Sequence, residues 1–81
     1  MSFYVYILRN LEGRHYIGQT SDLTLRLQRH NDGKVFWTKS RGPWKVVYSQ
    51  AFQTRSEAIT EEKRLKALKS SFELEKIIAQ Q

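Results

Sequence analysis

The stretch YVYILRNLEGRHYIG, residues 4–18, decides the fold. Phe3–Arg9 is rich in aromatic and β-branched side chains and reads as a strand, and Arg14–Thr20 reads as a second. Between them Leu11-Glu12-Gly13 reads as a three-residue hairpin loop, with Gly13 able to take the left-handed conformation that such a loop needs. That loop length pairs Asn10 with Arg14, Leu8 with Tyr16 and Tyr6 with Gly18. Side chains alternate across a strand. One face therefore carries Tyr4, Tyr6, Leu8, Tyr16, Gly18 and Thr20, and the other carries Phe3, Val5, Ile7 and Ile17. The second set is plain core. The first is not, because a buried tyrosine must find a partner for its hydroxyl. A two-residue loop would instead put Tyr6 and Tyr16 on opposite faces.

Ser21 or Asp22 is placed to cap a helix that runs to about Asn31 and stops at Gly33. Leu23 and Leu27 share its buried stripe, while Asp22, Arg26 and His30 form a separate line at successive turns. Lys34 to Pro43 is a basic loop holding Phe36, Trp37, Lys39 and Arg41. Trp44 to Phe52 reads as a third strand, with Trp44, Val46, Tyr48 and Phe52 on one face and Val47 and Ala51 on the other. Thr54-Arg55-Ser56-Glu57 is a capping box opening a helix to about Lys69, whose inward stripe is Ala58, Glu62, Leu65 and Leu68. Ser70 or Ser71 caps a short last helix with Leu74, Ile77 and Ile78 inward. The order β-β-α-β-α-α, with short loops, predicts an α+β fold: a small three-stranded antiparallel sheet packed by helices, one domain over residues 1–81.

With 81 residues and no cysteine, no disulfide or cysteine zinc site can staple the fold. This usage suits a reducing, cytoplasmic compartment. The N-terminal MSFYVYIL has no basic n-region or long apolar run, and no stretch reaches the ~18 apolar residues of a membrane span. The net charge is +6, with eight Lys/Arg against three Asp/Glu up to Gln50 and six against five beyond it. The positive charge thus travels with the first part of the chain. A basic face favours polyanions, nucleic acid first and an anionic membrane surface second.

Four groups of residues carry possible chemistry. Glu62 sits in an apolar stripe, where a carboxylate is costly unless paired, hydrogen-bonded or bound to a metal. It either makes a salt bridge with Lys66 one turn on, lies at a wetter edge of the helix, or is the ligand of one divalent cation; a lone carboxylate suits Mg²⁺, which keeps several waters and takes phosphate oxygens. Arg26 is suited to clamp a phosphate oxygen and His30 to move a proton near neutral pH. Beside an arginine and a cation, a tyrosine hydroxyl can be acidified or orient a water. Gly18 opposite Tyr6 leaves a gap for close approach by a ligand or another backbone. Finally, the basic residues of the 34–45 stretch, interleaved with Phe36, Trp37 and Trp44, are suited to meet phosphates and stack on bases.

Tyr4-Val5-Tyr6 followed by Tyr16-Ile17-Gly18 resembles the paired signature of the GIY-YIG nuclease family. The family's arginine ten residues after the second tyrosine falls on Arg26, its histidine or tyrosine four later on His30, and its single metal-binding glutamate on Glu62 within EAITEEKRLK. The segment Thr38 to Tyr48 resembles that of the small stand-alone bacterial members. The resemblance implies metal-dependent phosphodiester hydrolysis with one Mg²⁺ or Mn²⁺ at Glu62. It also implies Tyr16 as general base or water-orienting group, His30 assisting proton transfer, Arg26 stabilising the transition state and Tyr6 completing the hydrogen-bond network. Contacts to nucleic acid, DNA before RNA, would come from Arg29, Lys34, Trp37, Lys39, Arg41 and Lys45.

Tyr4 replaces the first glycine of the family name, and Gln19 stands where the family's excision-repair nucleases carry a lysine. Glu61 adjoins Glu62, and a one-residue change of helix phase would exchange them. The tail after Lys69 carries no separate DNA-binding domain, which family nucleases with defined targets usually carry unless a partner protein supplies specificity; the expected protein is a monomer or weak dimer. Binding should be weak, salt-dependent and tolerant of sequence. Two alternatives remain from other classes: a non-catalytic DNA- or RNA-binding module, and a basic scaffold docking on a partner.

Overall fold

The computed structural model describes residues 2–81; Met1, part of the N-terminal stretch read above, lies outside the described residues. The elements are β1 (Phe3–Arg9), β2 (His15–Thr20), α1 (Leu23–Asn31), β3 (Lys45–Phe52), α2 (Arg55–Ala67) and α3 (Ser71–Ala79). They form the expected α+β fold, with one antiparallel sheet in the order β2-β1-β3.

The first hairpin closes as its loop length requires. Gly13 takes φ +83°, the Asn10 amide donates to the Arg14 carbonyl at 3.1 Å, and the Gly13 amide donates to the Asn10 carbonyl at 3.1 Å. Asn10 is buried and adds its own tie, since its Oδ1 accepts from the Glu12 and Arg14 amides at 3.1 and 2.8 Å. The resulting register sets Leu8 opposite Tyr16 and Tyr6 opposite Gly18, so Tyr6 and Tyr16 share a face.

As the central strand, β1 is buried on both sides, and Val5, Tyr6, Ile7 and Leu8 are at most 1% exposed. Its odd positions join Tyr48, Ala58, Leu65 and Leu74 in a core under α2 and α3. Its even positions join Trp44, Tyr16, Leu23, Leu27 and Val46 in a second core under α1. Each fully buried large side chain contributes about 1.5–3 kcal/mol, so both faces of one short strand hold the domain together.

The helices begin where their caps are. Asp22 accepts from the Leu25 amide at 3.0 Å, Thr54 and Glu57 complete both halves of the capping box, and Ser70 caps α3. The second helix ends at Ala67 rather than about Lys69, because Lys69 itself takes a left-handed φ of +52° to turn the chain into α3. The last helix is fixed to the sheet by Glu75, which accepts from Arg9 Nη1 at 2.6 and 2.7 Å and pairs with His15 Nε2 at 2.6 Å.

One expectation fails in β3. Trp44, Val46, Tyr48 and Phe52 do not share a face, because Ile7 pairs with Tyr48 while its neighbour Leu8 pairs with Val46. The extra residue, Val47, makes a β-bulge that reverses the alternation. Trp44 and Val46 stay with the tyrosine face, whereas Tyr48 and Phe52 join the core under α2. There the Tyr48 hydroxyl meets Gln50 Oε1 at 2.8 Å and Glu61 Oε2 at 3.0 Å.

A second correction concerns Gly18. The space it leaves is filled from within: a Cβ there would stand 2.6 Å from the Tyr6 hydroxyl oxygen, 2.8 Å from its Cζ and 3.2 Å from Tyr16 Cε1. The glycine makes room for the tyrosine opposite rather than for a ligand. Gly18→Ala is therefore expected to destabilise the fold by about 1–3 kcal/mol, as overpacking does. Urea denaturation checks this, and a variant as stable as the parent would contradict it.

Candidate active site

The tyrosine face is organised around one buried hydroxyl. Tyr6 is 1% exposed, and its oxygen meets His30 Nε2 at 2.9 Å and accepts from Arg26 Nε at 3.3 Å. On its other side His30 Nδ1 meets Thr38 Oγ1 at 2.7 Å, and Thr38 donates to the Val35 carbonyl at 3.4 Å. One assignment of protons gives every atom in this chain a partner. Arg26 donates to Tyr6, Tyr6 donates to Nε2, Nδ1–H donates to Thr38, and Thr38 donates to Val35.

The electrostatics agree with that assignment. Burial, helped by the positive charge of Arg26, pushes the His30 imidazole down to about 4 from its ordinary 6.5, so it is neutral at pH 7. Burial raises the Tyr6 hydroxyl above its ordinary 10, against the lowering effect of Arg26, so it keeps its proton. The bond to Tyr6 in turn raises the Arg26 guanidinium, which stays charged.

Spacing along α1 brings Arg26 and His30 to the same face, as the sequence suggested. Their environments differ, however. Arg26 is half-buried, while His30 is 1% exposed with both nitrogens engaged. His30 therefore holds its neighbours in place rather than offering a free nitrogen. Tyr16 packs its ring 4.7 Å from His30 and 6.4 Å from Tyr6, centroid to centroid. It is less buried than Tyr6 and lines a groove of about 600 Å³.

Glu62 comes from α2, which packs against β1 and β2. Its side chain is 18% exposed, with Oε2 2.8 Å from Lys66 Nζ and Oε1 accepting from Gln19 Nε2 at 3.4 Å. The salt bridge to Lys66 is thus formed, yet the carboxylate also stands within electrostatic reach of the Tyr6 hydroxyl, whose pKa it helps to raise. Glu61 turns away toward β3. Arg64 grips it at 2.7 Å through two nitrogens and, with Tyr48, holds it below the usual carboxylate range. Of the two glutamates, Glu62 is the one within electrostatic reach of the Tyr6 hydroxyl.

Among the described residues no group of three or more His, Cys, Asp and Glu side chains is arranged to hold a metal. The donor set is one carboxylate, which fits a cation that keeps its waters and takes further oxygens from phosphate, as Mg²⁺ does. Beside it, Gln19 Oε1 is buried without a hydrogen-bond partner.

Arg29, Lys34, Lys39, Arg41 and Lys45 are all exposed, and Trp37 is 68% exposed with its ring against that of Phe36. Trp44 behaves differently from the loop's other aromatics. It is buried on the tyrosine core, donates from Nε1 to the Thr38 carbonyl at 3.0 Å, and exchanges bonds of 2.7 and 3.2 Å with the Asn31 side chain. Asn10 adds a bond to the Arg41 carbonyl at 2.9 Å. These ties bring Thr38 to His30. Sequence reasoning counted Thr38 only within the resembling segment, because a threonine in a basic loop carries no periodic signal of burial. It also missed Arg14 and Lys69, which line the groove beside Tyr16 and Trp37, and read Lys66, which lines it with them, only as a partner of Glu62.

A family model described as the GIY-YIG catalytic domain matches residues 2–76. The chain is 47% identical over 66 residues to the UPF0213 protein OB0043 of Oceanobacillus iheyensis, covering 80% of this chain and 77% of that protein. It is 42% identical over 67 residues to a UPF0213 protein of Streptococcus pneumoniae, covering 82% and 68%. The solution NMR structure of the UPF0213 protein BH0048 from Bacillus halodurans matches with a TM-score of 0.64 at 35% identity, covering 100% of this chain and 86% of that one. Both tyrosine strands, α1 and α2 all fall inside the family match, and the chain belongs to the GIY-YIG nuclease family.

Proposed function

We propose that this chain is a metal-dependent endonuclease that hydrolyses phosphodiester bonds in nucleic acid, DNA before RNA, in a cytoplasmic repair or DNA-processing context. The observation that carries the proposal is Arg26: a charged guanidinium held against the protonated Tyr6 hydroxyl, with Tyr16 beside it and the Glu62 carboxylate in reach. A pure binder has no need of a carboxylate in a basic cleft, where it repels phosphate.

Arg26 stabilises the negative charge that builds on the phosphorane-like transition state, and its bond to Tyr6 sets its aim before substrate arrives. Tyr16, the tyrosine that lines the open groove, receives the proton of the attacking water or orients that water. His30 is a positioning residue, because its lone pair and its N–H both go to buried partners. Glu62 would hold one Mg²⁺ or Mn²⁺, which when bound supplies Lewis-acid and template chemistry. Arg29, Lys34, Lys39, Arg41 and Lys45 meet the backbone, and Trp37 stacks on a base. The unit is one domain over residues 1–81, a monomer or weak dimer, with a partner protein supplying target choice. The 2.8 Å Lys66–Glu62 bond favours a second reading, a nucleic-acid-binding module in which Glu62 is only a structural ion-pair partner.

Nicking of supercoiled plasmid with Mg²⁺ or Mn²⁺ separates the two. Loss of nicking in EDTA, and a drop of roughly 100-fold or more in Arg26→Ala and Glu62→Ala with binding retained, is expected for the nuclease. Variants that cut like the parent would refute these roles, and metal-independent binding without cleavage would select the module. For the contact surface, Lys39→Ala and Arg41→Ala are each expected to reduce the slope of log affinity against log salt by about 0.9. Trp37→Ala should weaken binding by about 1–3 kcal/mol if it stacks on a base. Fluorescence anisotropy over a salt series checks both, and unchanged slopes and affinities would place the nucleic acid elsewhere.

A further inference from the structure

Two buried side-chain atoms among the described residues lack a hydrogen-bond partner, His15 Nδ1 and Gln19 Oε1. The first belongs to the Arg9–Glu75 cluster that fixes α3. The second lies in the edge strand β2 and in the same amide whose nitrogen approaches Glu62. We propose that Gln19 supplies a second protein oxygen to the divalent cation at Glu62, an inference that rests on the nuclease reading above.

A buried carbonyl oxygen with no donor carries an uncompensated desolvation cost. On an edge strand, a residue without that oxygen would avoid the cost, so its presence calls for a reason. Amide carbonyls are among the hard oxygen ligands that divalent cations of this class accept. The surroundings agree. Lys66 occupies only Oε2 of Glu62, and the partner of Oε1 is the long 3.4 Å contact from Gln19 Nε2. A half-turn of the terminal amide exchanges its nitrogen and oxygen without moving the backbone, and puts the amide nitrogen in the buried place that Oε1 now holds. The Gln19 oxygen would then face Glu62 Oε1 across that gap. Neighbouring oxygens on an octahedral Mg²⁺ stand roughly 2.9 Å apart, so closing the gap needs only a few tenths of an ångström.

The test is Mn²⁺ binding to the whole chain without nucleic acid, read by the electron paramagnetic resonance signal of free Mn²⁺. Gln19→Leu removes the oxygen and is expected to weaken binding on the order of tenfold, while its melting temperature in EDTA stays at or above that of the parent. Gln19→Glu keeps an oxygen, adds charge and is expected to bind more tightly than the parent. Binding by Gln19→Leu equal to the parent, or binding by Gln19→Glu no tighter than the parent, would overturn the inference; should Gln19→Leu fail to fold, the Gln19→Glu arm decides. Glu62→Gln separates the two levels. If it binds Mn²⁺ like the parent, the metal assignment in the nuclease reading fails. If it loses Mn²⁺ while Gln19→Leu keeps it, only the role of Gln19 fails.

Discussion

The hydroxyl of Tyr6 is the point on which the site depends. It joins the central strand to α1 through Arg26 and His30, and through His30 to Thr38 in the 33–44 loop. A polar atom buried this deeply is tolerated only when it is paired, and an unpaired one costs about 1–3 kcal/mol. The requirement runs in both directions. The hydroxyl needs the arginine and the imidazole, and they in turn acquire a fixed place above the sheet. A neutral histidine beside a cationic arginine is the arrangement burial favours, since a second positive charge there would find neither water nor a counter-ion.

The sheet makes that interaction possible by giving its two faces different tasks. The odd residues of β1 and β2 meet α2 and α3 in an ordinary core, which leaves the even residues available for the tyrosines. Gly18 accommodates the Tyr6 ring, and the bulge at Val47 lets Trp44 stay on the tyrosine face while Tyr48 crosses to the other. Trp44 then holds the Thr38 carbonyl, so the loop that closes the network is itself anchored by the strand that follows it. Glu62 comes from α2 to within electrostatic reach of the Tyr6 hydroxyl, while the phase of that helix sends Glu61 to Arg64 and Tyr48 instead.

Much of this was legible in the sequence because it is periodic or local. The three-residue loop determined which residues pair, and the register of the two tyrosine strands followed from counting. The capping box at Thr54, and caps narrowed to Ser21 or Asp22 and to Ser70 or Ser71, placed the helices for the same reason; the structure selects Asp22 and Ser70. Three features were not legible. A bulge leaves no mark in a strand whose residues are all suited to either face, so the face of Tyr48 was misassigned. The burial of His30 depends on Thr38 and Trp44, which lie in the following loop and strand and are tied by side-chain bonds that no motif encodes. Gly18 looked like room for a ligand because the sequence cannot show that Tyr6 fills it.

A nitrogen-15 NMR titration of the His30 imidazole tests the central claim most directly. The account predicts a ring that stays neutral between about pH 5 and 8, protonated on Nδ1 and accepting at Nε2, and that titrates only at about 4. The unfolded chain takes up this proton near 6.5 and the folded chain does not until about 4. Stability present above 6.5 is therefore lost as the pH falls through that window, by on the order of 3 kcal/mol. A His30 ring that titrates near 6.5 in the folded protein, or carries its proton on Nε2 at neutral pH, would contradict the account, because Tyr6 would then lack the acceptor that fixes it beneath Arg26.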